Sequence, residues 1–186
     1  NGSGGNLSMT ATESLELTNA GISTEAWFAH AGNITLDAHD ILLQQGTQVS
    51  LDGDIGGATM RVTADQLRLD VGSNLTNNTV VDPGGDTVIN ARVVELTQGS
   101  YIRTTTLGDG TAGNIILTAT ERLTIDGNNL FSSASGLIST ILPDSFGTVG
   151  GSGSITVTTP RLEMFGGGII NTTTSTSGNA GDISIF

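Results

Sequence analysis

Carboxylates dominate the side chains of this 186-residue chain that could do acid–base or metal chemistry, since 18 Asp and Glu stand against six Arg and two His. Several lie in turn-rich segments, namely Asp52, Asp54, Asp82, Asp86 and Asp109. Two interpretations are open: a weak Ca²⁺ site between loops, or a solvated acidic surface. Because Asp52-Gly53-Asp54 lacks the twelve-residue loop of an EF-hand, the sequence favours the solvated surface and predicts no metal and no cofactor.

Other catalytic residue types are few in this sequence. It has no Cys, which excludes thiolate catalysis and Cys-ligated metals. His30 and His39 stand in no pattern that fixes a triad or a metal geometry, and we expect both at the surface. Four arginines lie near carboxylates, which predicts stacked surface ion pairs. These pairs involve Arg68, Arg92, Arg122 and Arg161 with Asp65, Glu95, Glu121 and Glu163. We therefore assign no catalytic residue and expect no enzyme.

Aromatic side chains are scarce, so their positions are informative. The single Trp, Trp27, and Phe28 lie in a loop at 25–31, and Phe131 and Phe146 lie in a later irregular segment. Exposed aromatic rings stack on sugars or anchor partner proteins, whereas rings that close a corner or fold a loop onto the molecule are buried. Both interpretations are open, and these four residues are the candidate ligand contacts.

A repeated sequence motif, here called the repeated phrase, predicts the fold that positions these residues. It consists of Gly, a small polar residue, and then apolar residues that alternate with Thr, Ser or Asp. Seven copies begin at Gly5, Gly32, Ala58 (a degenerate copy), Gly85, Gly113, Gly153 and Gly181. The copies follow one another at 26 to 28 residues, except for one interval of 40. A fixed period in this range indicates a solenoid.

Each copy predicts one coil with three short strands, because alternation with period two is typical of half-buried strands. Leu36 and Val157 should point inward, and Thr35 and Thr156 outward. The predicted turn glycines are Gly46, Gly72, Gly99, Gly136 and Gly168, and the predicted inward residues of the third strand are Ile22, Val49, Leu75, Ile102, Ile138 and Ile170. The fold class is therefore all-β: a right-handed, three-sided parallel β-helix of about six to seven coils of roughly 27 residues. A β-sandwich with evenly spaced strands is the alternative.

The whole chain, 1–186, reads as one solenoid segment. The long interval places about 12 extra residues within 126–151, which we predict to be a loop insertion in the fifth coil. Neither end of the sequence carries an amphipathic helix or charge run that could cap the column. We therefore expect the chain to continue beyond these residues, or identical subunits to stack end to end.

The charge balance limits the classes of partner. With a net charge of −12, the chain lacks the clustered cations that nucleic acid and anionic membrane surfaces require. It also has no run of about 18 apolar residues, so we expect neither nucleic-acid binding nor membrane insertion.

The phrases at Gly32–Leu36, Gly113–Ala119 and Gly178–Ile185 resemble the repeats of filamentous-haemagglutinin-type exoproteins, closest in character to large cyanobacterial ones. This resemblance covers nearly the whole chain. It implies a long β-helical shaft that a partner β-barrel exports by two-partner secretion, with roles in adhesion, aggregation, biofilm formation or toxin delivery. The Asn-Pro motifs of that family's secretion domain are absent from this sequence. The resemblance therefore implies that these residues belong to the shaft and not to the secretion domain.

These observations predict a non-catalytic structural shaft of an extracellular bacterial surface adhesin or fibre. Its expected partners are its own continuation or identical subunits, and a glycan or cell-surface receptor. One alternative is a self-assembling head-to-tail filament subunit. Another is a carbohydrate-binding or polysaccharide-cleaving β-helix, although the Lys residues that often bind acidic sugars are absent from the sequence.

Overall fold

The computed structural model describes residues 2–81, 83–128, 134–142 and 150–186. Within them the regular structure consists of β-strands, and no helix is long and apolar enough to cross a membrane. The strands are β1 (Leu7–Thr10), β2 (Ser14–Thr18), β3 (Gly21–Ala26), β4 (Ile34–Gln44), β5 (Gln48–Gly53), β6 (Met60–Leu69), β7 (Asn74–Thr79), β8 (Thr87–Leu96), β9 (Tyr101–Thr106), β10 (Ile115–Asp126), β11 (Gly136–Ile141), β12 (Ile155–Thr158), β13 (Leu162–Phe165), β14 (Ile169–Thr173) and β15 (Ile183–Ile185).

All paired strands are parallel and form two sheets. The first sheet runs β1-β4-β6-β8-β10-β12-β15, with β2 also paired to β4 and β13 to β10, and the second runs β3-β5-β7-β9-β11-β14. Ile34 pairs with Met60, and Ile115 pairs with Ile155 across the 40-residue interval. The predicted period and register are therefore confirmed, and the molecule is a β-solenoid of about six turns.

The first and second predicted strands run together as one long strand in the middle coils. In β4, Ala38 and Ile41 are buried, whereas His39 between them is exposed and Asp40 is half-buried. Two successive outward positions shift the alternation by one residue, which marks the bend between two faces of the coil. The second sheet provides the third face.

The core is a stack of aliphatic side chains. Leu36 and Val157 are fully buried, and Thr35 and Thr156 are partly exposed beside them, which confirms the predicted orientations. Burial of each such side chain contributes about 1.5–3 kcal/mol, so the repeated Ile, Leu and Val positions stabilise the column.

The repeated glycines form one corner of the coil, here called the glycine corner. A Cβ on Gly32, Gly85, Gly113, Gly153 or Gly181 would lie 1.9 to 2.2 Å from a backbone oxygen of the preceding coil. None of these five adopts a positive φ. Glycine is therefore required there by the close approach of successive backbones.

The small polar residue after each glycine links neighbouring coils. Its side-chain oxygen accepts a hydrogen bond from the backbone N–H at the same position of the next coil, at 2.8 to 3.1 Å. The accepting residues, here called the polar ladder, are Asn6, Asn33, Asp86, Asn114 and Ser154. The second residue of the repeated phrase thus has a structural role.

Two predicted positions in the fifth coil are wrong. Leu137, not Ile138, is the buried residue paired with Ile102, and Ile138 lies opposite Arg103. Gly136 lies in strand β11, not in a turn. The cause is additional chain before β11: Ile125 and Gly136 are eleven positions apart, against five for the equivalent Leu96 and Tyr101.

The extra residues of the 126–151 segment are thus divided between the two sides of β11. From Ile141 to Ile155 the chain takes 14 steps, whereas the equivalent path from Thr106 to Ile115 takes nine. Strand β11 itself keeps the register of the second sheet.

Candidate ligand-binding cleft

The edge of the second sheet where β3 ends carries two strongly exposed aromatic residues, Trp27 and Phe28. Trp27 is 77% and Phe28 71% exposed, so neither ring plugs a corner. The turn that presents them is fixed, because the backbone N–H of Phe28 (φ 57°) donates to Asp54 Oδ2 of the next coil at 2.7 Å. Phe131 and Phe146, the other two candidates, lie outside the described residues.

A cleft of about 380 Å³ opens beside Trp27. Residues of five successive coils line it: Glu25, Ala26, Trp27, Asp52, Gly53, Asp54, Asn78, Thr79, Val80, Arg103, Thr105, Leu107 and Leu142. With coils about 4.8 Å apart, it extends roughly 19 Å along the axis. Val80, Leu107 and Leu142 are each more than a third exposed and give it an apolar rim.

Polar side chains on the outer face of the second sheet form the floor of the cleft. The strand register stacks Glu25, Asp52, Asn78 and Thr105 on consecutive coils. Asn78 Nδ2 donates to Asp52 Oδ1 at 2.7 Å. The floor therefore presents carboxylate acceptors at one end and an amide and a hydroxyl towards the other.

Three residues that line the cleft carry a buried polar atom without a hydrogen-bond partner among the described residues: Thr79 Oγ1, Arg103 Nε and Thr105 Oγ1. The guanidinium of Arg103 lies over the ring of Tyr101, 5.2 Å from its centroid, and its Nε is buried without an acceptor. Thr105 is 4% exposed, and its hydroxyl is likewise unpaired. Buried polar groups are nearly always paired in folded proteins, so these three atoms require an explanation.

The other predicted charge clusters lie on the first sheet. Arg92 donates to both oxygens of Asp65 in the preceding coil at 2.9 and 3.0 Å and pairs with Glu121 in the next. This hydrogen bonding lowers the pKa of Asp65 and raises the pKa of Arg92. Arg122 pairs with Glu95 at 2.8 Å, which confirms the predicted pairing between coils.

Arg68 pairs instead with Asp70 of its own coil, at 2.7 Å. Asp70 also accepts a hydrogen bond from Thr97 of the next coil, at 2.8 Å. Arg161 similarly pairs with Glu163 in its own coil. These two arginines thus lie near carboxylates as predicted, but the carboxylate belongs to the same coil.

Both histidines are exposed, as expected. Among the described residues, His39, Asp40 and Asp65 bring potential metal ligands within 4.8 Å of one another. The guanidinium of Arg92 already occupies both oxygens of Asp65, and its positive charge opposes a cation at this point.

The acidic loop residues have separate surroundings. Asp52 and Asp54 belong to the cleft, Asp86 belongs to the polar ladder, and Asp109 also has an interaction partner. Asp82 lies outside the described residues. Arg103, Asn78 and Thr105 were not predicted as site residues from the sequence, although their outward positions on two adjacent coils were a usable signal.

No family model matches this chain, and neither curated proteins nor solved structures give a match. The β-solenoid and the cleft therefore rest on the geometry of the chain itself.

Proposed function

We propose that this chain is a non-catalytic segment of the structural shaft of an extracellular bacterial surface adhesin or fibre. The observation that supports it is the continuity of the glycine corner, which passes through the 40-residue coil without a break: Gly113, Gly153 and Gly181 stack directly. Backbone pairing in both sheets joins successive coils, so a force along the axis is shared among many hydrogen bonds.

Surface location is tested on intact cells of the source bacterium with an antibody raised against the 186-residue chain. We expect labelling of intact cells that external protease removes while a cytosolic marker stays intact. Labelling only after lysis contradicts an extracellular shaft.

Absence of catalysis is tested separately by incubating the purified chain with neutral and uronate polysaccharides. Release of reducing or unsaturated sugars would support the polysaccharide-cleaving alternative instead.

A head-to-tail filament subunit is a second candidate, because the exposed apolar residues on and beside strand β15 can be covered either by further chain or by another copy. Ile183 and Ile185 in β15 are 44 and 49% exposed, Phe186 directly after the strand is 74% exposed, and the outer edge of β15 has no partner strand among the described residues. Unpaired strand edges recruit further backbone, from the same chain or from another copy.

Sedimentation velocity at increasing concentration tests this candidate. We expect axial association that Ile185→Lys suppresses. Strictly monomeric behaviour at high concentration, with terminal amides protected from hydrogen exchange, excludes it.

A further inference from the structure

The cleft combines an aromatic wall with a polar floor in a way that restricts its ligand. Trp27 presents an indole ring that is mostly free of contacts, and the apolar rim continues from it. Below them lie side chains that both accept and donate hydrogen bonds. A sugar ring has matching properties, since one face exposes C–H groups and its edge carries hydroxyl groups.

The unpaired polar atoms point to a ligand that brings hydroxyl groups. A buried donor or acceptor without a partner carries a desolvation penalty, which a bound ligand can remove by supplying the partner. Thr105 Oγ1 and Arg103 Nε both lie in this lining, two residues apart on the outer face of β9. Both atoms are almost inaccessible to solvent, so a side-chain rotation must first expose them; hydroxyl groups of a ligand can then accept from the guanidinium and pair with the threonine.

The charges of the floor favour a neutral ligand. Glu25, Asp52 and Asp54 repel uronate, sialic acid and sulfate groups. Arg103, on the same floor, opposes a basic peptide or a metal ion. A neutral polyol is compatible with both signs, because its hydroxyls donate to carboxylates and accept from a guanidinium.

We propose that this cleft binds a neutral oligosaccharide, with Trp27 as the stacking platform and Arg103 and Thr105 as hydrogen-bonding groups on its floor. The volume falls within the range of about 300–1,000 Å³ that is usual for ligand sites. If the chain is part of an adhesin shaft, neutral oligosaccharides are the class of ligand that this cleft would bind. Only the biological setting of the cleft rests on the proposed shaft; binding itself does not.

Binding is measured on the purified 186-residue chain by intrinsic fluorescence, because Trp27 is the single Trp and reports directly on the cleft. The neutral probes are cello-, malto-, manno- and galacto-tetraoses. The competing probes are sialyllactose, a heparin tetrasaccharide and penta-lysine. We expect saturable binding of at least one neutral tetraose and none of the charged probes.

Variants separate the cleft from adjacent surface. Trp27→Ala should weaken binding of that tetraose at least about tenfold, measured by calorimetry. Phe28→Ala is the matched control: it removes a neighbouring exposed ring outside the cleft lining, so affinity should stay within about twofold. Thr105→Val removes the unpaired hydroxyl at constant shape, and should weaken binding severalfold without lowering the melting temperature.

Several results overturn the proposal: preference for a charged probe, no binding by a chain whose circular dichroism shows it folded, or full affinity in Trp27→Ala. None of them bears on the shaft, which the cell-surface experiment tests independently.

Discussion

The glycine corner and the cleft edge belong to the same coils, but different constraints determine their residues. At the corner, each glycine faces a backbone oxygen of the coil before it, so the neighbouring coil dictates the residue type. At the cleft edge, Trp27, Val80, Leu107 and Leu142 differ from coil to coil and remain partly exposed. A residue type that recurs at the same position of successive coils therefore indicates a position that holds the coils together. A position where the residue type varies from coil to coil is available for ligand binding.

The largest effect should come from a charge placed in the core behind the corner. Leu36→Asp buries an unpaired carboxylate among aliphatic residues and should cost several kcal/mol, about 3–5. Thr35→Asp, on the outer side of the same strand, should cost less than about 1 kcal/mol. Urea titrations measure both, and equal stabilities would refute the assigned orientation.

The next largest effect on stability should come from adding a side chain at the glycine corner. Gly113→Ala would place a Cβ 1.9 Å from the oxygen of Gly85 and should destabilise the chain by about 1–3 kcal/mol or more. Gly21→Ala is the matched control, because no atom lies within 4 Å of the point its new Cβ would occupy and its φ is not positive. Thermal unfolding that fails to separate the two substitutions would show that the corner tolerates side chains.

A smaller effect concerns the polar ladder. Asn33→Ala removes the oxygen that accepts from the N–H of Thr59 at 2.8 Å and should cost about 1 kcal/mol. Asn33→Asp keeps an acceptor and should recover most of that loss. If Ala and Asp variants unfold at the same urea concentration, the side-chain oxygen contributes nothing measurable.

The smallest effect is the dependence of the exposed ion pair on pH. Because hydrogen bonding to Arg92 holds the pKa of Asp65 below its ordinary 3.8, the pair stabilises the fold above that pH. This contribution is lost as the pH falls through the lowered folded-state value. The melting-temperature difference between the natural chain and Asp65→Asn should therefore shrink from pH 7 to pH 2.5.

Asp37→Asn provides the control for that comparison, since Asp37 is exposed and forms no side-chain hydrogen bond or ion pair among the described residues. The Asp65→Asn difference is read against the Asp37→Asn difference at each pH, which corrects for effects common to the replacement of an exposed Asp. An Asp65→Asn difference that grows on acidification would reverse the assigned sign.

The repeated part of the fold could be predicted from the sequence because each coil meets nearly the same surroundings. Leu36 and Val157 follow from alternation alone. The orientation of Ile138 could not be predicted, because additional residues before β11 displaced the strand relative to the count from Gly113. The resemblance to filamentous-haemagglutinin repeats and the handedness of the coil stay predictions.

The candidate site was predictable only in part, for a related reason. Trp27 was identifiable as a rare aromatic residue in a loop. Its neighbours across the cleft come from coils up to four turns away, and only the strand register brings Arg103 and Thr105 to it. Their unpaired atoms are a property of the packed structure and leave no signal in the sequence.

The stacking of each coil on its immediate neighbours also has a consequence for inheritance. Loss or duplication of one whole coil, about 27 codons, keeps the strand register, and between coils that begin with glycine it places a glycine next to a glycine again and restores the polar ladder. Unequal recombination between repeats can therefore change the length of the rod in one event while preserving every junction. An event that removes part of a coil would break the strand register and expose apolar residues, so whole coils are the units that recombination can add or remove without disrupting the column.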